Sequence, residues 1–131
     1  MQPVLIVEDN KDLQKIYKMA LETAGVSVIV KKNGLEAISD LKKINPSLIL
    51  LDILMPDIDG VTFLKMINEQ NATKYPVIVL SNLSSKKTID DCMELGCIDY
   101  IIKADTSVAM VVNRIRDFLK QKMEEEKEPK Q

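Results

Sequence analysis

The chain has 131 residues, of which 46% are hydrophobic, and its 18 basic and 20 acidic side chains leave a net charge of −2. These values are typical of one soluble globular domain, and the near balance of charge argues against nucleic acid or a membrane surface as the main partner. No apolar run approaches the ~20 residues of a transmembrane helix, and the N-terminus lacks the pattern of a secretory signal.

The sequence contains two cysteines, Cys92 and Cys97, and no histidine. Without histidine the chain cannot form a zinc site of cysteine and histidine, nor a Ser–His or Cys–His catalytic pair. The spacing of the cysteines is also not that of a CxxC redox motif. We therefore expect two reduced thiols in or near a core, which favours a cytoplasmic protein.

Five short apolar runs are predicted to be β-strands: VLIV (4–7), VSVIV (26–30), LILL (48–51), VIVL (77–80) and IDYII (98–102). Most are apolar at consecutive positions, as is typical of strands buried on both faces of a parallel sheet. Helical spacing of apolar residues follows each run. The clearest helical faces are those of Leu13, Ile16, Tyr17, Ala20, Leu21 and Ala24, and of Val108, Val111, Val112, Ile115, Phe118 and Leu119.

This fivefold alternation predicts an α/β domain, with a doubly wound parallel sheet and helices on both faces. We place the domain at residues 1–122 and a charged C-terminal tail at residues 123–131. Asn10 is a candidate N-cap of the first helix, and Gly25 and Gly96 stand where helices commonly end in a left-handed residue.

Polar residues directly follow four of the five predicted strands. In chain order they are Glu8 with Asp9, then Asp52, Ser81 and Lys103. Ligands of open parallel sheets bind outside the carboxyl ends of the strands, so these side chains are predicted to form one cluster. Taken alone, Asp52 and the pair Glu8–Asp9 are equally well explained as a turn, a helix cap or solvated acids. Taken alone, Ser81 is better explained as a turn residue and Lys103 as a surface residue.

Together, these residue types favour phosphoryl chemistry. Three neighbouring carboxylates repel one another, and a hard divalent cation such as Mg²⁺ relieves that repulsion. Lys103 adds a positive charge and Ser81 a hydrogen-bond donor, both of which suit the oxygens of a phosphoryl group. An aspartate can itself act as the nucleophile and form an aspartyl phosphate.

Four motifs carry a resemblance to a known family: VED (7–9), LLDILMPDIDG (50–60), LSN (80–82) and DYIIKA (99–104). In combination they resemble the receiver domain of two-component response regulators, the chemotaxis-type single-domain receivers in particular, from about Val4 to about Lys120. The resemblance implies a flavodoxin-like fold, with five parallel strands in the order 2-1-3-4-5.

The resemblance also implies a role for each residue of the cluster. Asp52 matches the phosphoacceptor. The Mg²⁺ (or Mn²⁺) ligands would be Asp9, Asp52, Glu8 through water, and the carbonyl of Leu54. The phosphate-binding and switch residues would be Ser81, Lys103 and Tyr100.

A protein of this kind takes a phosphoryl group from a histidine kinase or a phosphotransfer protein. It then signals to a downstream protein partner, whose identity the sequence does not reveal, through the face of its fourth helix, fifth strand and fifth helix. We therefore expect a cytoplasmic signalling domain that catalyses only its own phosphorylation and autodephosphorylation, and not an enzyme in the ordinary sense.

Three departures from the family pattern concern access to the site. Ala104 follows the lysine where the family usually has proline, often after a cis peptide, and a cis bond before alanine costs about 3 kcal/mol. Asn82 follows the switch hydroxyl where a small residue is usual, and is expected to narrow access. Leu54 and Leu83 border the path of the hydrolytic water and cannot orient it, so we predict a long-lived phosphoryl group.

Two alternatives remain at this point. A pseudo-receiver that is never phosphorylated would keep the fold and serve only as an interaction module. The segment DIDGVT (57–62) also resembles the first motif of haloacid-dehalogenase-type phosphatases, although Pro56 separates it from its strand. In our preferred interpretation Asp57 is a solvated loop residue, and Asp59 with Gly60 starts the third helix.

Overall fold

The computed structural model describes residues 2–70 and 75–127, in which strands and helices alternate. The elements in chain order are β1 (Val4–Val7), α1 (Lys11–Thr23), β2 (Val28–Lys31), α2 (Gly34–Ile44), β3 (Leu48–Leu51), α3 (Gly60–Gln70), β4 (Val77–Ser81), α4 (Lys86–Glu94), β5 (Asp99–Ile102) and α5 (Val108–Lys127). A short 3-10 turn, Lys103–Asp105, joins β5 to α5.

All neighbouring strands pair in parallel, in the order β2-β1-β3-β4-β5, which confirms the predicted sheet. The bounds of β1 and β3 are those predicted from the apolar runs. β2 is displaced toward the C-terminus of its run and ends at Lys31, which pairs with Val7. As an edge strand it needs apolar side chains on one face only, so Lys31 can take part and reach Asp40 on α2 at 2.7 Å.

Two apolar layers enclose the sheet, one on each face. Alternate residues of β1 point to opposite layers, as strand geometry requires: Val4 and Ile6 pack toward α1 and α5, and Leu5 and Val7 toward α2 and α3. One residue departs from the predicted faces: Ile16 on α1 is 46% exposed. Ile16 lies in an open groove between α1 and α5, where Val108 and Val112 also line the surface.

The expectation of two reduced, buried thiols is confirmed, because Cys92 on α4 and Cys97 shortly after it are both free and buried. Burial raises the pKa of Cys97 to about 11. A thiol with such a high pKa carries very little thiolate near neutral pH and is chemically inert.

The helix ends follow the local signals. The side chain of Asn10 accepts hydrogen bonds from the N–H groups of Asp12 and Leu13, and Gly25 and Gly96 have φ of +86° and +95°. α5 continues through Lys127, so residues 123–127 of the predicted tail are helical, and residues 128–131 lie outside the described part of the chain. None of the described helices has an apolar stretch of the length that a bilayer requires.

Candidate functional site

The parallel register brings the predicted polar residues to one edge of the sheet. Val7 pairs with Leu51, so Glu8 and Asp52, the next residue of each strand, lie side by side. Ser81 pairs with Ile102 on the neighbouring strands, which places Lys103 beside it. The carboxyl ends of four strands therefore meet where the sequence pattern predicted a site.

Three carboxylates form the acidic part of this cluster. Glu8, Asp9 and Asp52 each present an oxygen within 4.8 Å of the other two. Glu8 and Asp52 are only 4% and 8% exposed, whereas Asp9 is exposed at the rim. Two buried acids and one solvated acid at this spacing repel one another unless a positive charge lies between them.

Lys103, the first residue after β5, supplies that charge. Its Nζ lies 2.8 Å from Glu8 Oε1 and 3.3 Å from Asp52 Oδ2. Burial disfavours the ammonium group, but the hydrogen bond to Glu8 and the charge of Asp52 outweigh burial and raise the pKa of Lys103. For Glu8 burial dominates: together with the charge of Asp52 it raises the pKa of this carboxyl, although Lys103 opposes the change.

The donor set fits a hard divalent cation. Mg²⁺ favours carboxylate and carbonyl oxygens, and three carboxylate oxygens converge here with one of them open to solvent. Leu54, whose carbonyl is the proposed fourth ligand, lies next to these carboxylates, because its N–H is 3.4 Å from Asp52 Oδ1. The Leu54 side chain is 58% exposed and points away from the core. The individual metal roles of these residues stay predictions.

Ser81 and Tyr100 are linked through the segment that follows β4. Ser81 is fully buried, and its Oγ accepts the N–H of Leu83 at 3.2 Å. The hydroxyl of the half-buried Tyr100 donates to the carbonyl of the same Leu83 at 2.6 Å. The backbone of Leu83 therefore contacts both Ser81 and Tyr100.

Asn82 and Ala104, two of the residues predicted to modulate access, contact each other. The backbone N–H of Ala104 donates to Asn82 Oδ1 at 2.9 Å. The peptide between Lys103 and Ala104 is trans, as the energetic cost of a cis bond before alanine predicts. Leu83, the third such residue, is half-buried.

Asp57 is an exposed loop residue, as the sequence predicted, but it has a structural role that the sequence did not reveal. Its carboxylate accepts hydrogen bonds from the N–H groups of Gly34 and Leu35 at 3.3 and 2.8 Å, and so caps α2 from the β3–α3 loop. Burial opposes the charge of Asp57, but these bonds and one from the N–H of Ile58 lower its pKa. The partners lie over twenty positions away in the chain, so no local sequence signal reveals this cap.

The prediction that Asp59 and Gly60 start the third helix is confirmed. The side chain of Asp59 accepts the N–H of Thr62 at 2.7 Å, as an N-cap does. Gly60 has a second role that the sequence did not reveal. A Cβ at Gly60 would lie 2.8 Å from Ile53 Cα and 3.0 Å from the carbonyl oxygen of Asp52. Glycine therefore lets α3 start directly against the strand end that carries Asp52.

Comparison with known proteins gives a consistent result. The family model described as response regulator receiver domain matches residues 4–116. The polar-differentiation response regulator DivK of Brucella anthropi is 32% identical over 117 residues, which are 88% of this chain and 94% of that protein. The receiver domain of the Francisella response regulator 1452 superposes with a TM-score of 0.84 at 30% identity, covering 93% of this chain and 99% of that one.

Longer proteins match as well. A protein-glutamate methylesterase/protein-glutamine glutaminase of Carboxydothermus hydrogenoformans is 34% identical over 124 residues, which are 92% of this chain but 34% of that protein. The chain thus spans about a third of the length of this relative.

Proposed function

Because the chain belongs to the response regulator receiver domain family, we propose that it accepts a phosphoryl group on Asp52 from a phosphohistidine of a histidine kinase or phosphotransfer protein. The observation that carries this proposal is the contact of Lys103 with both Asp52 and Glu8 at the edge where Asp9 also lies. A buried carboxylate beside one ammonium group and two further acids is arranged to handle a compact, highly charged group.

In the proposed step an oxygen of Asp52 attacks phosphorus. The new P–O bond forms as the P–N bond of the phosphohistidine breaks, and the imidazole nitrogen leaves with the electron pair. Lys103 stabilises the charge that spreads over the phosphoryl oxygens, and the Ser81 hydroxyl donates to one of them. A bound Mg²⁺ (or Mn²⁺), held by Asp9, Asp52, the Leu54 carbonyl and Glu8 through water, would neutralise the remaining oxygens.

The switch residues Ser81 and Tyr100 would connect the phosphorylation site to the surface that a partner binds. If Ser81 turns toward the phosphoryl group, its bond with the N–H of Leu83 is lost, and Leu83 also holds Tyr100. Tyr100 lies on β5, between α4 and α5 in chain order. Exposed apolar residues of this region are Met93 on α4, Ile98 directly before β5 and Met110 on α5. We propose that this face binds a downstream protein, and that phosphorylation shifts the population between two states of it.

The decisive experiment is intact mass spectrometry after incubation with acetyl phosphate, with and without Mg²⁺. We expect the wild type to gain one phosphoryl group in the presence of Mg²⁺, and Asp52→Asn to gain none. Asp57→Asn, which changes an aspartate of the same loop, is the matched control and should be phosphorylated like the wild type. A wild type that folds but gains no mass would favour the pseudo-receiver, and a gain lost in Asp57→Asn would favour the phosphatase alternative.

A further inference from the structure

Two loops at the site are joined by a single hydrogen bond between exposed residues. Asn82 follows Ser81 at the end of β4, and Ala104 follows Lys103 at the end of β5. The Ala104 N–H donates to Asn82 Oδ1 at 2.9 Å, across a separation of 22 residues in the chain. This bond belongs to no strand ladder or helix, so it depends on the side chain at position 82 alone.

The chemistry of the bond fixes the orientation of the Asn82 amide. A backbone N–H can only donate, so the side-chain oxygen, and not the nitrogen, must face Ala104. Proline has no N–H and could not make this bond, and proline is what the family resemblance leads one to expect at position 104. The bond therefore requires both departures from the family pattern, an amide side chain at position 82 and a residue other than proline at position 104.

The bond holds the backbone that carries Lys103. Lys103 is the first residue of a 3-10 turn. The Thr106 N–H donates to the Lys103 carbonyl at 3.3 Å and closes this turn. Its side chain must then span the site to reach Glu8 and Asp52, and a lysine side chain left to itself samples many rotamers. The bond from the Ala104 N–H to Asn82 in the β4–α4 loop fixes the backbone from which the Lys103 side chain extends.

We propose that Asn82 is a positioning residue, whose amide oxygen holds Ala104 and thereby keeps the Lys103 ammonium group on Glu8 and Asp52. The inference deepens the proposed function, because the positioned lysine is the one that would stabilise the transferred phosphoryl group. It also changes the role of Asn82, which acts on the placement of the lysine in addition to filling space at the entrance.

Hydrogen exchange measured by NMR tests the bond without any phosphorylation. In Asn82→Ala we expect the Ala104 N–H to exchange roughly tenfold faster than in the wild type. The Lys103 ammonium protons should also exchange faster, because their protection depends on the ion pairs with Glu8 and Asp52. Asn82→Asp keeps an acceptor and should protect the Ala104 N–H, and Ser84→Ala in the same loop serves as the control. Unchanged exchange at both groups in Asn82→Ala would overturn the proposal.

A double-mutant cycle separates positioning from access. We expect Asn82→Ala to slow phosphorylation by acetyl phosphate several-fold in the chain with Ala104. In Ala104→Pro, which lacks the N–H, the same substitution should leave the rate unchanged or raise it, because only the effect of the wider entrance remains. Equal factors in both backgrounds would mean that Asn82 acts on access alone and would overturn the proposal. If no variant were phosphorylated, the proposed function would fail, while the exchange of the Lys103 ammonium protons would still decide whether Asn82 positions the lysine.

Discussion

The Lys103 ammonium group is held mainly by Glu8: its Nζ lies 2.8 Å from Glu8 Oε1, against 3.3 Å from Asp52 Oδ2. One lysine thus compensates two buried acids, and the residue proposed as phosphoacceptor has the longer of the two contacts. Among the described residues, the other carboxylate oxygen of Asp52 accepts one long contact, from the Leu54 N–H at 3.4 Å. The charge balance of the edge therefore depends on Lys103 whenever no cation is bound.

Lys103→Met is expected to destabilise the protein in EDTA. Removing the ammonium group leaves Glu8 and Asp52 side by side without compensation, and we expect the free energy of unfolding to fall by about 1–3 kcal/mol, between the values for exposed and buried ion pairs. Added Mg²⁺ should reduce this loss, because the cation restores the missing charge. Urea denaturation with and without Mg²⁺ measures both effects.

Lys87→Met is the matched control for this experiment. Lys87 pairs with Asp91 at 3.0 Å, but its side chain is 85% exposed. Its removal should change the free energy of unfolding by less than about 0.5 kcal/mol, with or without Mg²⁺. An equal loss in Lys103→Met with and without Mg²⁺ would contradict the idea that the acidic cluster holds a cation.

Leu83→Glu is expected to shorten the lifetime of the phosphorylated protein by roughly tenfold, because a carboxylate can orient and deprotonate the attacking water. The hydrogen bonds of Leu83 to Ser81 and Tyr100 involve its backbone, so the substitution leaves them in place. Leu54→Asn should act in the same direction, since its exposed side chain stands two positions after Asp52. Loss of radiolabelled phosphate over time gives the rate, and Leu35→Glu on the exposed surface of α2 is the control. Lifetimes equal to that of the wild type would count against the role of the two leucines.

Gly60→Ala is expected to be more destabilising than Gly34→Ala. A Cβ at Gly60 meets backbone atoms of Ile53 and Asp52, which cannot move without shifting the strand end. A Cβ at Gly34 meets only side-chain carbons, the nearest being Ile58 Cγ1 at 2.7 Å, and a flexible side chain can turn away. We expect a loss of about 1–3 kcal/mol for Gly60→Ala and a smaller one for Gly34→Ala in urea denaturation, and the reverse order would refute this account.

Asp57→Ala should lower stability in a manner that depends on pH. The lowered pKa of Asp57 means that the folded state favours its charged form, so the stabilisation is present above the ordinary value of 3.8 and is lost as the pH falls through the folded pKa. We expect a loss of about 1 kcal/mol near neutral pH, as for other helix caps, which shrinks below about pH 4. Thermal unfolding of the variant and the wild type, at neutral pH and below about pH 4, measures this loss. Asp90→Ala on the exposed side of α4 is the control. A difference that did not change with pH would exclude a role for the charge.

Short-range rules account for what the sequence alone determined. Consecutive apolar residues predicted β1 and β3 to the residue, and helical spacing predicted the buried face of α5. The cap at Asn10 also follows from its nearest neighbours in the chain. The position of polar residues after the strands was sufficient to predict that Glu8, Asp52, Ser81 and Lys103 would meet, because a parallel sheet gathers all its carboxyl ends at one edge.

Tertiary packing decided what depends on partners that are distant in the chain. The cap that Asp57 provides joins a loop to the start of α2, and the bond between Asn82 and Ala104 joins two loops. No local pattern encodes either contact. The sequence specifies the elements and the chemistry at their ends because these depend on near neighbours. The distances that tune this chemistry, such as the closer approach of Lys103 to Glu8, arise only when the packed sheet and helices fix each loop against the next.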